Sequence, residues 1–172
     1  MFKPVVVAFF AAACVLAGPA TAQADGPTLA RIKAAKAINV AYSADSPPFS
    51  FSSASGAPTG YSIAICQKVI AAVGRAVGEP NLKVNWMPGS VGERLQFVAS
   101  GRADIECANT SQTQTRLGSV DFSNLIFIDG GGVLVKAGAP INRIADLAGK
   151  RVAVIKGTTT QARLADALKT RN

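Results

Sequence analysis

Three polar segments follow apolar, strand-like runs and could bind a small anion. They are Tyr42-Ser43-Ala44-Asp45, Asn109-Thr110-Ser111 and Gly157-Thr158-Thr159. Ligand sites in open α/β sheets lie in the crevice outside the carboxyl ends of the strands. The third segment opens a helical pattern, where backbone N–H groups suit a carboxylate or a phosphate, although an ordinary helix cap has the same sequence. We therefore expect these three loops to border a small-molecule crevice.

The composition excludes several classes of chemistry. The chain has no histidine, so catalysis by an imidazole base is excluded and a zinc site would lack its usual ligands. The net charge is +8, but the lysines and arginines are scattered singly, without the basic stripe of a nucleic-acid-binding protein. A basic surface also attracts small anions by electrostatic steering. We expect no nucleic-acid partner, no metal and no cofactor.

Strand-like and helix-like patterns alternate along the chain, which predicts an α/β fold with largely parallel sheets. Gly130-Gly131-Gly132 marks a boundary between a first lobe, residues 25–130, and a hinge strand with the start of a second lobe, residues 131–172. This second part is shorter than the roughly 50 residues of most small domains, so we expect a truncated sequence. The predicted strands cover residues 38–42, 82–87, 103–107, 125–128, 133–136 and 151–155; the predicted helices cover residues 29–37, 62–77 and 93–100, a single turn at 144–147, and the stretch after Gly157.

Residues 1–24 have the pattern of a secretory signal peptide. Lys3 supplies the positive end, residues 5–17 are an unbroken apolar run, and small residues place the cleavage near Ala22 or Ala24. The run is shorter than the ~20 residues that span a bilayer, so we expect export to the periplasm. Disulfides persist in that compartment, and Cys66 and Cys107 could pair with each other or with a cysteine beyond residue 172.

The order and spacing of several motifs over residues 29–168 resemble the family 3 extracellular solute-binding proteins of amino-acid ABC importers. Gly60-Tyr61-Ser62 and residues 105–110 look most like the glutamate/aspartate-binding branch. The resemblance implies a type II periplasmic binding protein-like fold, in which two α/β lobes close on an amino acid; only lobe 1 and the start of lobe 2 are expected here. The other motifs are Pro47-Pro48-Phe49-Ser50-Phe51, Glu93-Arg94-Leu95, residues 101–107, Arg116 with residues 120–123, residues 146–154, and Gly157-Thr158-Thr159.

The resemblance also implies roles for single residues in main-chain recognition. Arg116 would clamp the ligand α-carboxylate, because a planar guanidinium offers a bidentate fit. Thr158 would donate to the same carboxylate from the second lobe, and Asn109 and Ser111 would hold the other main-chain atoms of the ligand. A solvated helix arginine is the alternative interpretation of Arg116.

Other residues would set the choice of amino acid. Arg94 matches an arginine that meets the side-chain carboxylate in the acidic branch, and a surface helix arginine is its alternative. Ser43 stands where that branch carries another arginine, so the ligand is expected to be an acidic or a neutral polar amino acid. Phe51 and Tyr61 are candidate aromatic walls, or core residues. By the same resemblance, Cys107 pairs with a cysteine beyond residue 172.

The expected function is therefore the periplasmic substrate-binding component of an amino-acid ABC importer. It would be a monomer without catalytic residues that delivers a free amino acid to a membrane permease. One alternative is an enzyme on the same scaffold, such as a cyclohexadienyl dehydratase, with Asp45 and Glu93 as candidate acid and base. The others are the sensor domain of a larger receptor and a fragment without function.

Overall fold

The structure is a computed structural model that describes residues 26–169. The expected signal peptide at residues 1–24, with cleavage near Ala22 or Ala24, lies outside the described residues. Within residues 26–169, no helix combines the length and the apolar character needed to cross a membrane.

Helices alternate with the strands of a parallel sheet in the first two thirds of the chain, and three further short strands, which the sequence did not predict, lie between residues 45 and 59. The strands predicted at residues 38–42, 82–87 and 103–107 and the first three predicted helices are confirmed to within two residues at each end. The single turn at residues 144–147 is a 3-10 helix, as predicted. In chain order the elements are α1 (Pro27–Ala35), β1 (Ala37–Tyr42), β2 (Asp45–Ser46), β3 (Ser50–Ser52), β4 (Pro58–Thr59), α2 (Tyr61–Ala76), β5 (Lys83–Pro88), α3 (Val91–Ala99), β6 (Ile105–Cys107), α4 (Gln114–Leu117), the 3-10 helix (Ile144–Leu147) and α5 (Thr159–Lys169).

Strand β1 is the centre of a three-stranded parallel sheet in the order β5-β1-β6. Ala37 pairs with Lys83 on one edge, and Val40 pairs with Ile105 on the other. A parallel strand with neighbours on both edges and helices on its faces is apolar almost throughout. In β1, residues 38 and 40–42 are accordingly buried. The core that they form with α1, α2 and β6 contains Ile32, Ile38, Val40, Tyr42, Ile63, Cys66, Ile70, Val77 and Cys107.

A second, antiparallel sheet folds the loop after β1 back on itself. In it β3 pairs with both β2 and β4, so that Phe51 lies opposite Asp45 on one side and Thr59 on the other. The buried Ser50 hydroxyl accepts a hydrogen bond from the Ser43 N–H at 3.0 Å and donates to the Ser43 carbonyl at 2.9 Å. This arrangement anchors the segment that leaves the carboxyl end of β1.

A disulfide joins Cys66 on α2 to Cys107 at the end of β6, with an S–S distance of 1.98 Å. Packing of α2 against β6 brings the two Cα atoms to 5.9 Å, within the range that a disulfide requires. Of the pairings left open by the residues alone, the structure has the one within residues 26–169. The pairing implied by the family resemblance, with a cysteine beyond residue 172, is wrong here.

The strands predicted at residues 125–128, 133–136 and 151–155 are also wrong. A strand requires a hydrogen-bonded neighbour, and within residues 26–169 these three segments have no β partner. Most of their apolar side chains are therefore exposed: Ile128 is 83% exposed, Leu134 100% and Ile155 66%. The predicted lobe boundary at residue 130 stays a prediction.

Candidate functional site

Arg116 connects the loop after β6 to the turn before α5. Thr113 caps helix α4, and its side chain accepts a hydrogen bond from the Arg116 N–H at 3.2 Å. The guanidinium donates from Nη1 to the Ser111 carbonyl at 2.6 Å and from Nη2 to the Gly157 carbonyl at 3.0 Å. Both acceptors are neutral, and no carboxylate within residues 26–169 forms an ion pair with Arg116. Its positive charge is thus available to an anion.

The surroundings of Arg116 affect its titration. Desolvation in this half-buried position lowers the pKa of Arg116 from its usual value. The negative charge of Glu106 acts in the opposite direction, and the positive charge of Arg94 adds a further lowering. Both charges therefore lie close enough to Arg116 to influence it, with opposite signs.

The amino terminus of α5 lies against the same loop. The Ser111 and Thr159 hydroxyls are 3.2 Å apart. Thr158 caps the helix: its hydroxyl accepts from the Gln161 N–H at 3.2 Å and donates to the Ile155 carbonyl at 2.8 Å. Because that donation uses the only hydroxyl hydrogen of Thr158, a ligand that takes it must replace the Ile155 carbonyl.

Three of the predicted ligand-binding residues, Ser111, Arg116 and Thr158, therefore lie together. Asn109 is exposed in the same loop, two residues before Ser111. The open cavity beside them has a volume of about 1230 Å³ and is bordered by Ser111, Thr159 and the unpaired apolar residues 133–135. It is larger than the ~300–1,000 Å³ of typical small-molecule pockets, so its size alone identifies no ligand.

Arg94 is 2% exposed, and each of its three guanidinium nitrogens donates to a neighbouring residue. Its Nε donates to Glu106 Oε1 at 2.7 Å, Nη1 to the Gly89 carbonyl at 2.6 Å, and Nη2 to Thr110 Oγ1 at 3.3 Å. The alternative interpretation of Arg94 as a solvated surface arginine is wrong, since α3 packs this side chain against β6.

The Ser43 side chain also forms its hydrogen bonds with other residues of the protein. It is 1% exposed, and its hydroxyl donates to Asp45 Oδ1 at 3.0 Å and lies 2.8 Å from the Ser46 hydroxyl. Together with the Ser50 contacts, these bonds give Ser43 a structural role in the turn after β1.

Tyr61 belongs to a cluster of three aromatic rings. Its ring centroid is 6.1 Å from that of Phe49 and 5.9 Å from that of Phe127, and its hydroxyl donates to the Ile126 carbonyl at 2.7 Å. Through these contacts, residues 126–127 pack against the start of α2. Phe51, the other predicted aromatic wall, is half-buried in β3.

The two candidate acid–base residues have structural partners of their own. Asp45 accepts from Ser43 as described. Glu93 forms a capping box with Ser90: the Ser90 N–H and hydroxyl donate to Glu93 Oε2 at 2.8 and 2.7 Å. These bonds lower the pKa of Glu93, because they stabilise its charged form. The shift of the Glu93 pKa is thus opposite to the raised value that favours a general acid.

The sequence did not predict which residues contact the candidate site residues Arg94 and Tyr61. Glu106 and Thr110 bind Arg94, and Phe49 and Phe127 surround Tyr61. One signal was available: Glu106 stands between two apolar residues of a short strand, where a charge needs a partner. Within residues 26–169, no group of three or more His, Cys, Asp or Glu side chains could hold a metal ion.

Comparison with known proteins identifies the family of this chain. Residues 38–171 match the bacterial extracellular solute-binding proteins, family 3. An L-glutamate/L-aspartate-binding protein of Pseudomonas aeruginosa is 36% identical over 150 residues, which are 87% of this chain and 50% of that protein. A glutamate/aspartate import solute-binding protein of Salmonella typhimurium is 33% identical over 140 residues, 81% of this chain and 46% of that protein. The chain thus spans about half the length of these curated relatives.

A solved structure confirms the fold. The arginine-bound form of a truncated ArgBP from T. maritima superposes with a TM-score of 0.71 at 23% identity, over 80% of this chain and 62% of that one. The predicted type II periplasmic binding protein-like fold is therefore correct, and residues 26–169 cover part of it. The chain belongs to the bacterial extracellular solute-binding proteins of family 3.

Proposed function

We propose that this protein is the substrate-binding component of an amino-acid ABC importer and holds an acidic or polar amino acid by its α-carboxylate. The observation that carries the proposal is the Arg116 guanidinium. It bridges the Ser111 and Gly157 carbonyls and lacks an anionic partner within residues 26–169. A carboxylate that replaces the two carbonyls gains a charge-assisted, bidentate contact.

The surrounding groups suit the rest of an amino acid's main chain. The Ser111 and Thr159 hydroxyls lie 3.2 Å apart, and the Thr158 cap opens α5 beside them. The amino terminus of α5 adds a partial positive charge next to that of Arg116. Asn109, exposed in the same loop, is proposed to complete the contacts to the ligand.

Names of the relatives support transport rather than catalysis. The matched proteins of Pseudomonas aeruginosa and Salmonella typhimurium are described by what they bind or import. The carboxylates that an enzyme of this fold could use, Asp45 and Glu93, are bonded to their own loops. We therefore propose a non-enzymatic, monomeric periplasmic protein that delivers its amino acid to a membrane permease, with its site between residues 25–130 and 131–172.

The test is the melting temperature of the chain with each common amino acid in excess. A ligand that binds only the folded protein raises the melting temperature by mass action. A rise with an amino acid supports the proposal. A cooperative melt that no amino acid shifts, or no cooperative melt at all, contradicts binding by this chain and favours a fragment without this function.

Arg116→Gln identifies the site. We expect it to weaken binding by on the order of 30-fold or more, since loss of one partner of a buried charged contact costs about 2 kcal/mol or more. Arg75→Gln, an exposed arginine in the last turn of α2, is the matched control and should leave affinity unchanged. Equal affinities of the two variants would contradict the role of Arg116.

A further inference from the structure

The Cys66–Cys107 disulfide lies where β6 ends and the loop of the candidate site begins. Cys107 is the last residue of β6, and residues 108–113, the ligand loop, follow it directly. Both cysteines are buried and belong to the core that α2 forms with the parallel sheet. The crosslink therefore joins the start of the ligand loop to the interior of the protein.

Strand β6 is short and is attached to the sheet along one edge. Its last residue, Cys107, lies opposite Tyr42 of β1, and within residues 26–169 no strand pairs with its other edge. Successive side chains of a strand point to opposite faces of the sheet. Glu106 accordingly contacts Arg94 of α3 at 2.7 Å, and Cys107 is bonded to α2 from the other face. The disulfide is thus the covalent part of a two-sided attachment at the end of β6.

Helix α2 is a firm anchor for the crosslink. Along its 16 residues, Ile63, Cys66, Ile70 and Gly74 recur every three or four positions, and all four are buried. One face of the helix is therefore packed along most of its length. A residue bonded to this face is fixed relative to the core.

The ligand loop carries two of the proposed ligand contacts, Asn109 and Ser111, and both residues are exposed. No residue of the loop belongs to a helix or a strand. The Ser111 carbonyl accepts from Arg116 at 2.6 Å, and the proposed ligand carboxylate replaces this bond. During binding, the position of the loop therefore depends on its attachment at Cys107 and on the contacts of Thr110.

We propose that the Cys66–Cys107 disulfide is a positioning crosslink: it holds the ligand loop in its binding conformation, so that the oxidised chain binds its amino acid more tightly than the reduced chain. This inference rests on the proposed function and deepens it. Without the crosslink, the first residues of the loop have more backbone freedom, which binding must restrict. Fixing the backbone of a single residue costs as much free energy as a change in affinity of about tenfold. We therefore expect a difference of about tenfold between the two forms.

The crosslink also couples ligand binding to the redox state of the chain. When dithiothreitol reduces the disulfide, the bond between the two cysteine sulfurs breaks, the dithiol forms its own S–S bond, and its two protons pass to the cysteine sulfurs. Linkage between two binding or reaction equilibria is reciprocal. If reduction weakens binding tenfold, saturating ligand must make the disulfide tenfold harder to reduce, which is a shift of ~30 mV for two electrons.

The first measurement is calorimetric titration of the oxidised chain and of the double variant Cys66→Ala and Cys107→Ala. The probe is whichever of the twenty common amino acids binds the oxidised chain most tightly. We expect the double variant to bind it about tenfold more weakly. Equal affinities overturn the inference and leave the proposed function intact. No binding of any amino acid to the oxidised chain overturns the proposed function, and the inference with it.

Ile70→Ala is the control that separates positioning from stability. Ile70 lies one turn after Cys66 on the buried face of α2. Its truncation lowers the stability of the fold by an amount similar to the loss of the disulfide, but it leaves the crosslink in place. At a temperature at which all three proteins are folded, we expect Ile70→Ala to bind as tightly as the unaltered chain. A loss of affinity equal to that of the cysteine variant would mean that general destabilisation is the cause, and it overturns the inference.

A redox titration tests the coupling without any substitution. The unaltered chain is equilibrated with mixtures of reduced and oxidised dithiothreitol, and alkylation with peptide mapping gives the ratio of thiol to disulfide at Cys66 and Cys107. We expect saturating amino acid to lower this ratio about tenfold. A ratio that the amino acid does not change overturns the inference.

Measurement of ¹⁵N relaxation on the oxidised, ligand-free chain covers the case in which the cysteine variant and the reduced chain do not fold. A loop that the crosslink holds in place should have backbone order parameters near the rigid value of about 0.85 at residues 108–110. Order parameters below about 0.6 at these residues describe a flexible loop, and they overturn the inference.

Discussion

Residues 26–107 and residues 120–169 contain similar apolar patterns, yet they differ sharply in packing. In the first region, β1 has a parallel partner on each edge and helices against its faces. Apart from Leu147, all buried hydrophobic side chains of the described residues lie between Ile32 and Cys107. In the second region, the apolar segments run without β partners and remain exposed.

This difference shows that an apolar sequence pattern favours burial but does not by itself ensure it. The free energy comes from removing apolar surface from water, and a strand also needs partners for its backbone N–H and C=O groups. Residues 37–42 have both buried apolar side chains and strand partners for their backbone groups. Residues 133–136 and 151–155 have neither within the described chain, although their sequences predict strands equally well.

The largest expected difference between the two regions is in matched isoleucine truncations. Ile38→Ala should lower the free energy of unfolding by about 2–5 kcal/mol, because Ile38 is 2% exposed in the core. Ile128→Ala, at 83% exposure, should change it by less than ~0.5 kcal/mol. Urea unfolding measures both, and equal losses would mean that residues 125–128 are buried in solution.

Removal of the disulfide tests how the first region is held together. The combined substitution Cys66→Ala and Cys107→Ala should cost about 2–4 kcal/mol of unfolding free energy, because the 41-residue separation constrains the unfolded chain. Guanidinium unfolding of the oxidised protein and the variant measures it. Peptide mapping that finds Cys66 and Cys107 as free thiols in the oxidised protein would show that this crosslink does not form.

A smaller difference is expected between two aspartates. The Asp104 side chain is 3% exposed; it accepts from the Asn39 N–H at 2.8 Å and from Arg31 Nε at 3.1 Å. Asp104→Asn should cost about 1–3 kcal/mol, since a buried donor loses its partner. Asp129 is exposed and its carboxylate accepts from the Gly130 N–H, so Asp129→Asn should cost less than ~0.5 kcal/mol. Similar losses in thermal unfolding would contradict the contrast.

The smallest expected effect concerns pH. The pKa of Glu93 is lowered, first by the Ser90 hydroxyl and then by its N–H; that of Asp146 is lowered chiefly by the Asn142 N–H. A lowered folded-state pKa stabilises the fold above the unfolded-state value, and that contribution disappears as the pH falls through the folded-state value. Ser90→Ala should raise the pKa of Glu93 and leave Asp146 unchanged, as measured by carboxyl NMR titration. Parallel shifts of both groups would mean that the effect is not local.

Some features of the candidate site could be predicted from the sequence and others could not. The difference is whether the environment of a residue is set by its own segment or by other segments. Ser111, Arg116 and Thr158 stand in segments whose own sequence predicts a loop or a helix start, and the structure brings them together. The environments of Arg94 and Ser43 depend on residues far away or on the next turn. Glu106, Thr110 and Ser50 decide whether those side chains face a ligand, and no local pattern reports that.

The sequence by itself determined the alternation of helices with the parallel strands β1, β5 and β6 up to Cys107, because apolar periodicity, caps and glycine stops act within one element. The tertiary structure alone decided three other features: the pairing of Cys66 with Cys107, the capture of Arg94 by Glu106, and the lack of β partners in residues 125–155. Each depends on which distant group occupies the space beside a side chain or a backbone edge. That is a property of packing, which periodicity within one segment does not encode.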